Sequence, residues 1–434
     1  MSTLRRRAGR AKSGGPFRLL LAMIGCGGMF ARDNGYAQSS EAVSSESAAQ
    51  ALAKSIEAEQ FNQRYGPVRV RTSAGVGAYY TDNVFYSGNP KEDVMIEPQA
   101  KLDALWPVTR LNALRLSLGL SYQWYLKNTA LNSDAPLVNP GSELAWNLFV
   151  GDFHIQLHER FSYEQSLFFN SFAGENQPFY NFNNVGTFSR WDNHAGLDVT
   201  WSLEKGVVSV GYNHENFISK TAAFDYLDRA SEWFTANAGY FLGDHVQAGV
   251  EGRGSLHHYD QETVLNDNWR ARVGPFVEAK LPEKVTLRAG GGYDTARFDE
   301  VGPANSDYDS YYAYARVSQD TRLFTHSIEV GRKLLLGDNA NNLKTVYARY
   351  SISSPIVRHV DLGAHVSVNV AEEYGGPSGF DEKFTYYGGG LSVGYQFAKH
   401  WRADLGYEFL LKESDLALRD FHRNQVGLDV VWTF

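Results

Sequence analysis

The chain has 434 residues, 14% of them aromatic, a formal charge of −8 and a mean hydropathy of −0.37. Its one cysteine, Cys26, lies near the start, which excludes a disulfide framework and cysteine-based metal or nucleophile chemistry from the rest of the chain. The acidic balance argues against nucleic acid as a partner, and no internal run approaches the roughly 20 apolar residues of a spanning helix.

Residues 1–37 read as an export signal. A basic segment (Arg5, Arg6, Arg7, Arg10, Lys12, Arg18) precedes the apolar run Leu19 to Phe30 and the small-residue site Gly35-Tyr36-Ala37, so cleavage is expected between Ala37 and Gln38. An alternative takes Met23-Ile24-Gly25-Cys26 as a lipoprotein signal with Cys26 lipidated, although methionine fits poorly at the head of that motif. Removal of residues 1–37 leaves 34 basic against 48 acidic residues, a charge of −14. Residues 38–66 are polar, with Ala48, Ala49, Leu52, Ile56 and Phe61 at roughly helical spacing, and predict a short periplasmic helix or a disordered lead-in.

From 67 to 434 the period is two. In Val94–Trp106 one face is apolar and the other carries Glu97, Gln99, Lys101 and Asp103. Leu114/Leu116/Leu118/Leu120, Phe153/Ile155/Leu157, Ala195/Leu197/Val199/Trp201, Phe234/Ala236/Ala238/Tyr240 and Val360/Leu362/Ala364/Val366/Val368/Val370 repeat the pattern. Aromatics fall at the ends of the stripes, as interfacial girdles require. Short turns (Gly151-Asp152, Glu204-Lys205-Gly206, Gly243-Asp244-His245) alternate with long polar loops (Lys127–Gly141, Glu164–Arg190, Glu372–Lys383). These features predict an all-β fold, a transmembrane antiparallel up-and-down β-barrel of about 18 strands, with 16 as the alternative, in the outer membrane and with both termini periplasmic. The last stripe, Val426/Leu428/Val430/Trp432/Phe434, closes the series. It resembles the terminal signal that barrel-assembly machinery recognises, so that machinery and outer-membrane lipid are the expected partners.

With the apolar stripes on lipid, the opposite side chains line the lumen. Arg253, Arg270 and Arg272 are expected toward the outer half, with Glu251 and Glu278 as partners; Arg69, Arg71, Lys101, Asp103, Arg115 and Arg402 belong to the periplasmic half. Tyr312, Tyr314 and Tyr347, beside Arg316 and Arg349, suit a saccharide path or a filled barrel. The loop Glu164–Arg190, with Phe168, Phe169, Phe172, Phe179, Tyr180 and Phe182, is expected to fold inward as a constriction or outward as a contact surface. His257-His258 and His154/His158 stand without a zinc-protease or nucleophile-elbow motif, and no catalysis, cofactor or metal is expected. Gly290-Gly291-Gly292 and Gly388-Gly389-Gly390 lie inside strands, where they mark kinks or close approaches.

The run Tyr80-Thr81-Asp82-Asn83-Val84-Phe85, the series of alternating strands and the terminal Phe resemble the β-barrel porin family associated with exopolysaccharide and capsule biosynthesis clusters, and the apparent strand number is similar to that of alginate-export barrels. The resemblance implies passage of polysaccharide across the outer membrane, with periplasmic export components as separate partners. A small-solute porin and a structural or adhesive barrel are the alternatives.

Overall fold

The computed structural model describes residues 61–167, 180–299, 306–321, 323–357 and 359–434. The expected signal segment, the Ala37/Gln38 site, Cys26, the lead-in up to residue 60 and the loop phenylalanines 168, 169, 172 and 179 lie outside them. Among the described residues eighteen long strands follow one another: β1 (Val68–Thr81), β2 (Asp93–Pro107), β3 (Asn112–Ser121), β4 (Glu143–Val150), β5 (Phe153–Glu164), β6 (Arg190–Leu203), β7 (Gly206–Ser219), β8 (Arg229–Phe241) and β9 (Val246–Tyr259). The second half comprises β10 (Asn268–Leu281), β11 (Val285–Phe298), β12 (Tyr308–Asp320), β13 (Thr325–Leu336), β14 (Asn342–Val357), β15 (Val360–Tyr374), β16 (Asp381–Ala398), β17 (Trp401–Ser414) and β18 (Phe421–Thr433). Each pairs antiparallel with the next, and β18 returns to β1 from Ser73↔Thr433 to Thr81↔Gln425. The sheet is therefore a closed 18-strand barrel without free edges, which excludes the 16-strand alternative. Gln63–Tyr65, at the end of the lead-in, is a short strand folded onto β1.

Alternation settles which face each residue takes. Val76, Trp106, Leu144, Leu157, Trp201, Val250, Val277, Val366, Leu391 and Leu428 are all exposed on the outside, as the apolar stripes predict. Several strands run past their expected ends, because pairing continues into the loops: β7 reaches Ser219 and its Phe217 still pairs with Arg229.

Val426, Leu428 and Phe434 of the terminal stripe are exposed on the outer face, and Val430 and Trp432 are half-buried. Their neighbours on the same face cover them. Trp432 lies between the Phe434 ring, with centroids 3.8 Å apart, and the stacked Trp401 ring at 6.1 Å. Val430 is flanked by Val76 on β1 and Ala403 on β17, its direct cross-strand partners. The stripe thus keeps its outward side, while closure of the barrel packs its lower end.

The Asp82-Asn83 motif works at the closing seam. Asp82 accepts from the backbone N–H of Asn424 at 2.7 Å and from its side-chain amide at 2.6 Å. Buried Asn83 donates to the Ser87 and His422 carbonyls, both at 2.8 Å. The motif thus clasps the first connection to the last strand. The glycine run also has a steric reason. Pro275 cannot donate to the ladder, the β10–β11 pairing lapses between Val273 and Phe276 and resumes in the same register, and a Cβ on Gly274 would lie 2.1 Å from the Gly291 carbonyl.

Candidate functional site

An 18-strand barrel is wide enough to leave an aqueous bore, yet at the loop end this one is filled. The end of the β5–β6 loop turns inward, and Tyr180, Phe182 and Phe188 pack with Phe217, Leu343, Tyr386 and Phe421, side chains contributed from around the whole wall. Asn181, between two of these rings, is fully buried. Its Nδ2 donates to Glu373 and Glu382, both at 2.6 Å, and its Oδ1 accepts from Lys412 Nζ at 2.7 Å. Its backbone N–H donates to Asp338 at 2.5 Å, and its carbonyl accepts from Arg419 at 2.7 Å and Asn339 at 2.9 Å. Glu373, Glu382 and Lys412 stand on β15, β16 and β17, half-way round the barrel from β6. The described end of the loop, residues 180–189, therefore lies inside the mouth.

The charge in this knot is tightly compensated. Lys412 pairs with Glu382 at 2.7 Å with both side chains inaccessible to solvent, and Arg419 adds a contact to Glu382 at 2.9 Å. Removing either partner from such a pair leaves a buried charge uncompensated. Burial, and next to it the Glu373 carboxylate, push the Asp338 carboxyl in the β13–β14 loop well above the usual carboxylate range.

Below the mouth, the wall from β9 to β14 carries a field of inward cations. Arg253 and Arg272 face each other directly across β9 and β10, and Arg288 and Arg316 do so across β11 and β12. Like charges directly opposite one another destabilise a sheet. Several guanidinium groups lie over aromatic rings: Arg253 over Trp233 at 4.2 Å, Arg288 over Phe276 at 4.5 Å, Arg272 over Tyr312 at 5.3 Å and Arg349 over Tyr347 at 5.9 Å. Such stacking holds a cation in place. Arg270 is turned aside to the Asn341 carbonyl at 2.9 Å.

Glu251 and Glu278 both bind Arg288, at 2.9 and 3.2 Å, because Arg288 on the neighbouring β11 sits between them. The hydroxyls of Tyr312 and Tyr314 also donate to Glu251, at 3.3 and 2.8 Å, and that of Tyr347 donates to Glu329 at 2.8 Å. Tyr314 lies flat in the space left by Gly290, and Tyr347 in that left by Gly331. These two rings thus lie along the wall.

At the turn end, Arg69, Arg71 and Arg115 share the inward face with Lys101, which lies 3.4 Å from Asp103, and Arg402 binds Asp361 at 2.8 Å and Asp404 at 2.7 Å. The histidines do not converge. His257 points inward to Ser231 and Ser255, whereas its neighbour His258 points outward to Asp267; His154 and His158 contact Asn147 and Asn213. Asp192, His194 and Glu215 bring ligand atoms within 4.8 Å of one another, but Glu215 is already held by Arg229 and Trp233.

Arg288, Glu329 and Lys333 were not singled out from the sequence, although their strand parity places them on the lumen face. Asn181, Glu373, Glu382 and Lys412 gave no comparable signal, since their partners come from distant loops.

No family model matches the chain, and no curated protein matches it. The resemblance to the exopolysaccharide-associated barrels therefore rests on the seam motif, the strand series and the last residue alone. Among solved structures, the outer membrane protein OpdK of Pseudomonas aeruginosa is similar over 84% of this chain and 99% of its own, with 12% identity and a TM-score of 0.46. Pseudomonas aeruginosa OccK2 (OpdF) in complex with glucuronate is similar over 85% and 96%, with 10% identity and a TM-score of 0.47, and Acinetobacter baumannii OccAB3 over 84% and 99%, with 8% identity and a TM-score of 0.46. These values are too low for the likeness to carry an argument about this chain.

Proposed function

We propose that the chain is an outer-membrane channel for small anionic solutes, with its long loops outside and its termini in the periplasm. The closed barrel, the apolar exterior and the alternation of turn and loop lengths support the membrane setting. The observation that carries the anion reading is the run of inward arginines from β9 to β14, Arg253, Arg272, Arg288, Arg316 and Arg349, in which Arg253 faces Arg272 and Arg288 faces Arg316. Asp294 stands opposite Arg272, and Glu329 between Arg316 and Arg349; a lumen wall lined by arginines favours passage of anions. A polysaccharide needs a continuous wide bore, and the inward loop at Tyr180–Phe188 fills the mouth with side chains; this favours small solutes over the polymer path that the family resemblance implies.

Reversal potentials of the refolded full chain in a salt gradient test the reading. The parent is expected to pass anions over cations, and Arg253→Ala with Arg272→Ala is expected to lower that preference several-fold while the barrel still shows heat-sensitive migration. Cation preference in the parent, or a double variant with the parent's selectivity, would refute it.

A further inference from the structure

The outward faces of β5–β8 carry a polar island that the channel reading does not use. Alternation puts Glu159 on the same outer face as Phe153 and Leu157, Asn193 with Trp191, Leu197 and Trp201, His214 and Asn216 with Val210, Tyr212 and Ile218, and Glu232 with Phe234 and Tyr240; the hydrophobic members of each set are exposed. The residues are contiguous: Asn216 pairs with Asn193, and His214 with Ala195 on one side and Glu232 on the other. Asn193 Nδ2 donates to Glu159 at 2.9 Å, His214 Nδ1 lies 2.8 Å from Glu232, and Tyr212 donates to Glu232 at 2.6 Å.

The island sits within the apolar band. Trp191 and Trp201, at the two ends of β6, are separated by about 33 Å at about 3.3 Å per residue, or about 25 Å of height at a tilt of about 40°, which is the height of a barrel's apolar band between its aromatic girdles. Asn193 is two residues inside that band, under the stacked Tyr163–Trp191 pair, whose centroids are 4.7 Å apart. Ionisable groups turned to lipid at such a depth are costly. Elsewhere the outward charges Arg297, Asp309, Lys344, Glu372, Lys383 and Glu413 stand at strand ends, and Arg332 stands further inside β13.

We infer that this island is the contact surface of a two-fold dimer, its occupant being the same island on a second copy. This rests on the outer-membrane reading. A closed two-fold contact requires a self-complementary patch, and the island has that chemistry. Asn193 and Asn216 lie opposite each other at its centre; the Asn193 amide donates to Glu159, while the Asn216 amide offers donors and an acceptor, so that amide meets its counterpart across the axis. The flanking carboxylates of Glu159 and Glu232 disfavour an anionic lipid headgroup at the same place.

After the leader is removed no cysteine remains, so single cysteines report the contact in native membranes. Asn216→Cys is expected to form a disulfide-linked species of twice the chain mass on mild oxidation, whereas Val366→Cys, on the outward face of β15, stays monomeric. Asn193→Leu with Asn216→Leu is expected to raise the monomer fraction of the purified, unheated protein at least tenfold. A one-chain mass for the parent, with or without a co-purifying glycolipid, overturns the inference, as does cross-linking of Asn216→Cys only to a protein of another mass. Absence of the chain from the outer-membrane fraction instead overturns the reading on which the inference rests, and the fractionation is scored separately.

Discussion

At the loop end of the barrel Asn181, Glu373, Glu382 and Lys412 are wholly enclosed and bound to one another. At the turn end Lys101 keeps 44% of its side chain exposed beside Asp103, and Asp361 keeps 43% beside Arg402. The same strands build both ends. Turns such as Gly151-Asp152 have no chain to send across the lumen, whereas Asn181, in the connection from β5 to β6, reaches the far wall. Both clusters of buried apolar side chains among the described residues belong to the loop end. Charge is therefore desolvated and rigid at one end, hydrated and adjustable at the other, and equal substitutions at the two ends have unequal effects.

The largest effect is expected from Asn181→Ala. It removes the amide that joins Glu373, Glu382 and Lys412, while the Lys412–Glu382 pair remains, and loss of its hydrogen bonds to charged groups costs about 1.5–3 kcal/mol against the closed arrangement. Single-channel currents should rise several-fold, and currents equal to the parent's would show that this residue does not hold the mouth.

A smaller effect involves Asp338. Its raised native pKa means that the closed mouth binds a proton which the opened loop releases above about pH 4. The proton-bound, closed form is thus favoured at low pH, and closure weakens as pH rises toward the native value. Open probability should increase with pH in the parent. Asp338→Asn keeps an acceptor for the Asn181 N–H and should flatten that dependence; equal slopes in the two proteins would remove Asp338 from the account.

The smallest effect belongs to the turn end. Lys101→Ala removes a partly exposed pair, worth about 0.5 kcal/mol, and should leave the mouth's conductance unchanged and shift thermal unfolding by no more than a degree or two. A loss comparable to that of Asn181→Ala would show the turn end to be as rigid as the loop end.

Period-two alternation needs only neighbouring residues, so the sequence alone determined the outward stripe ending in Phe434 and the lumen face that holds Arg253, Arg272, Arg316 and Arg349, and it narrowed the strand number to 18 or 16, between which barrel closure decided. How far that stripe opens to its surroundings was a matter for the closed barrel, since Val430 and Trp432 are covered by residues of β1 and β17 as well as by Phe434. The sequence determined less about partners on the lumen face, because cross-strand register and the choice between an acid and a ring depend on three or four strands at once; Arg288, between Glu251 and Glu278, is the instance. The mouth was decided only by the tertiary structure. Asn181 is an ordinary polar residue in a long loop until a 157-residue separation to Asp338 and a 231-residue separation to Lys412 close around it. The Asp82-Asn83 motif behaves similarly: legible as a motif, it acquires its role when the last strand returns to the first and Asn424 and His422 meet it. Local pattern follows from backbone geometry that repeats every two residues, whereas a plug depends on which loops are long enough to meet, and that follows from barrel closure.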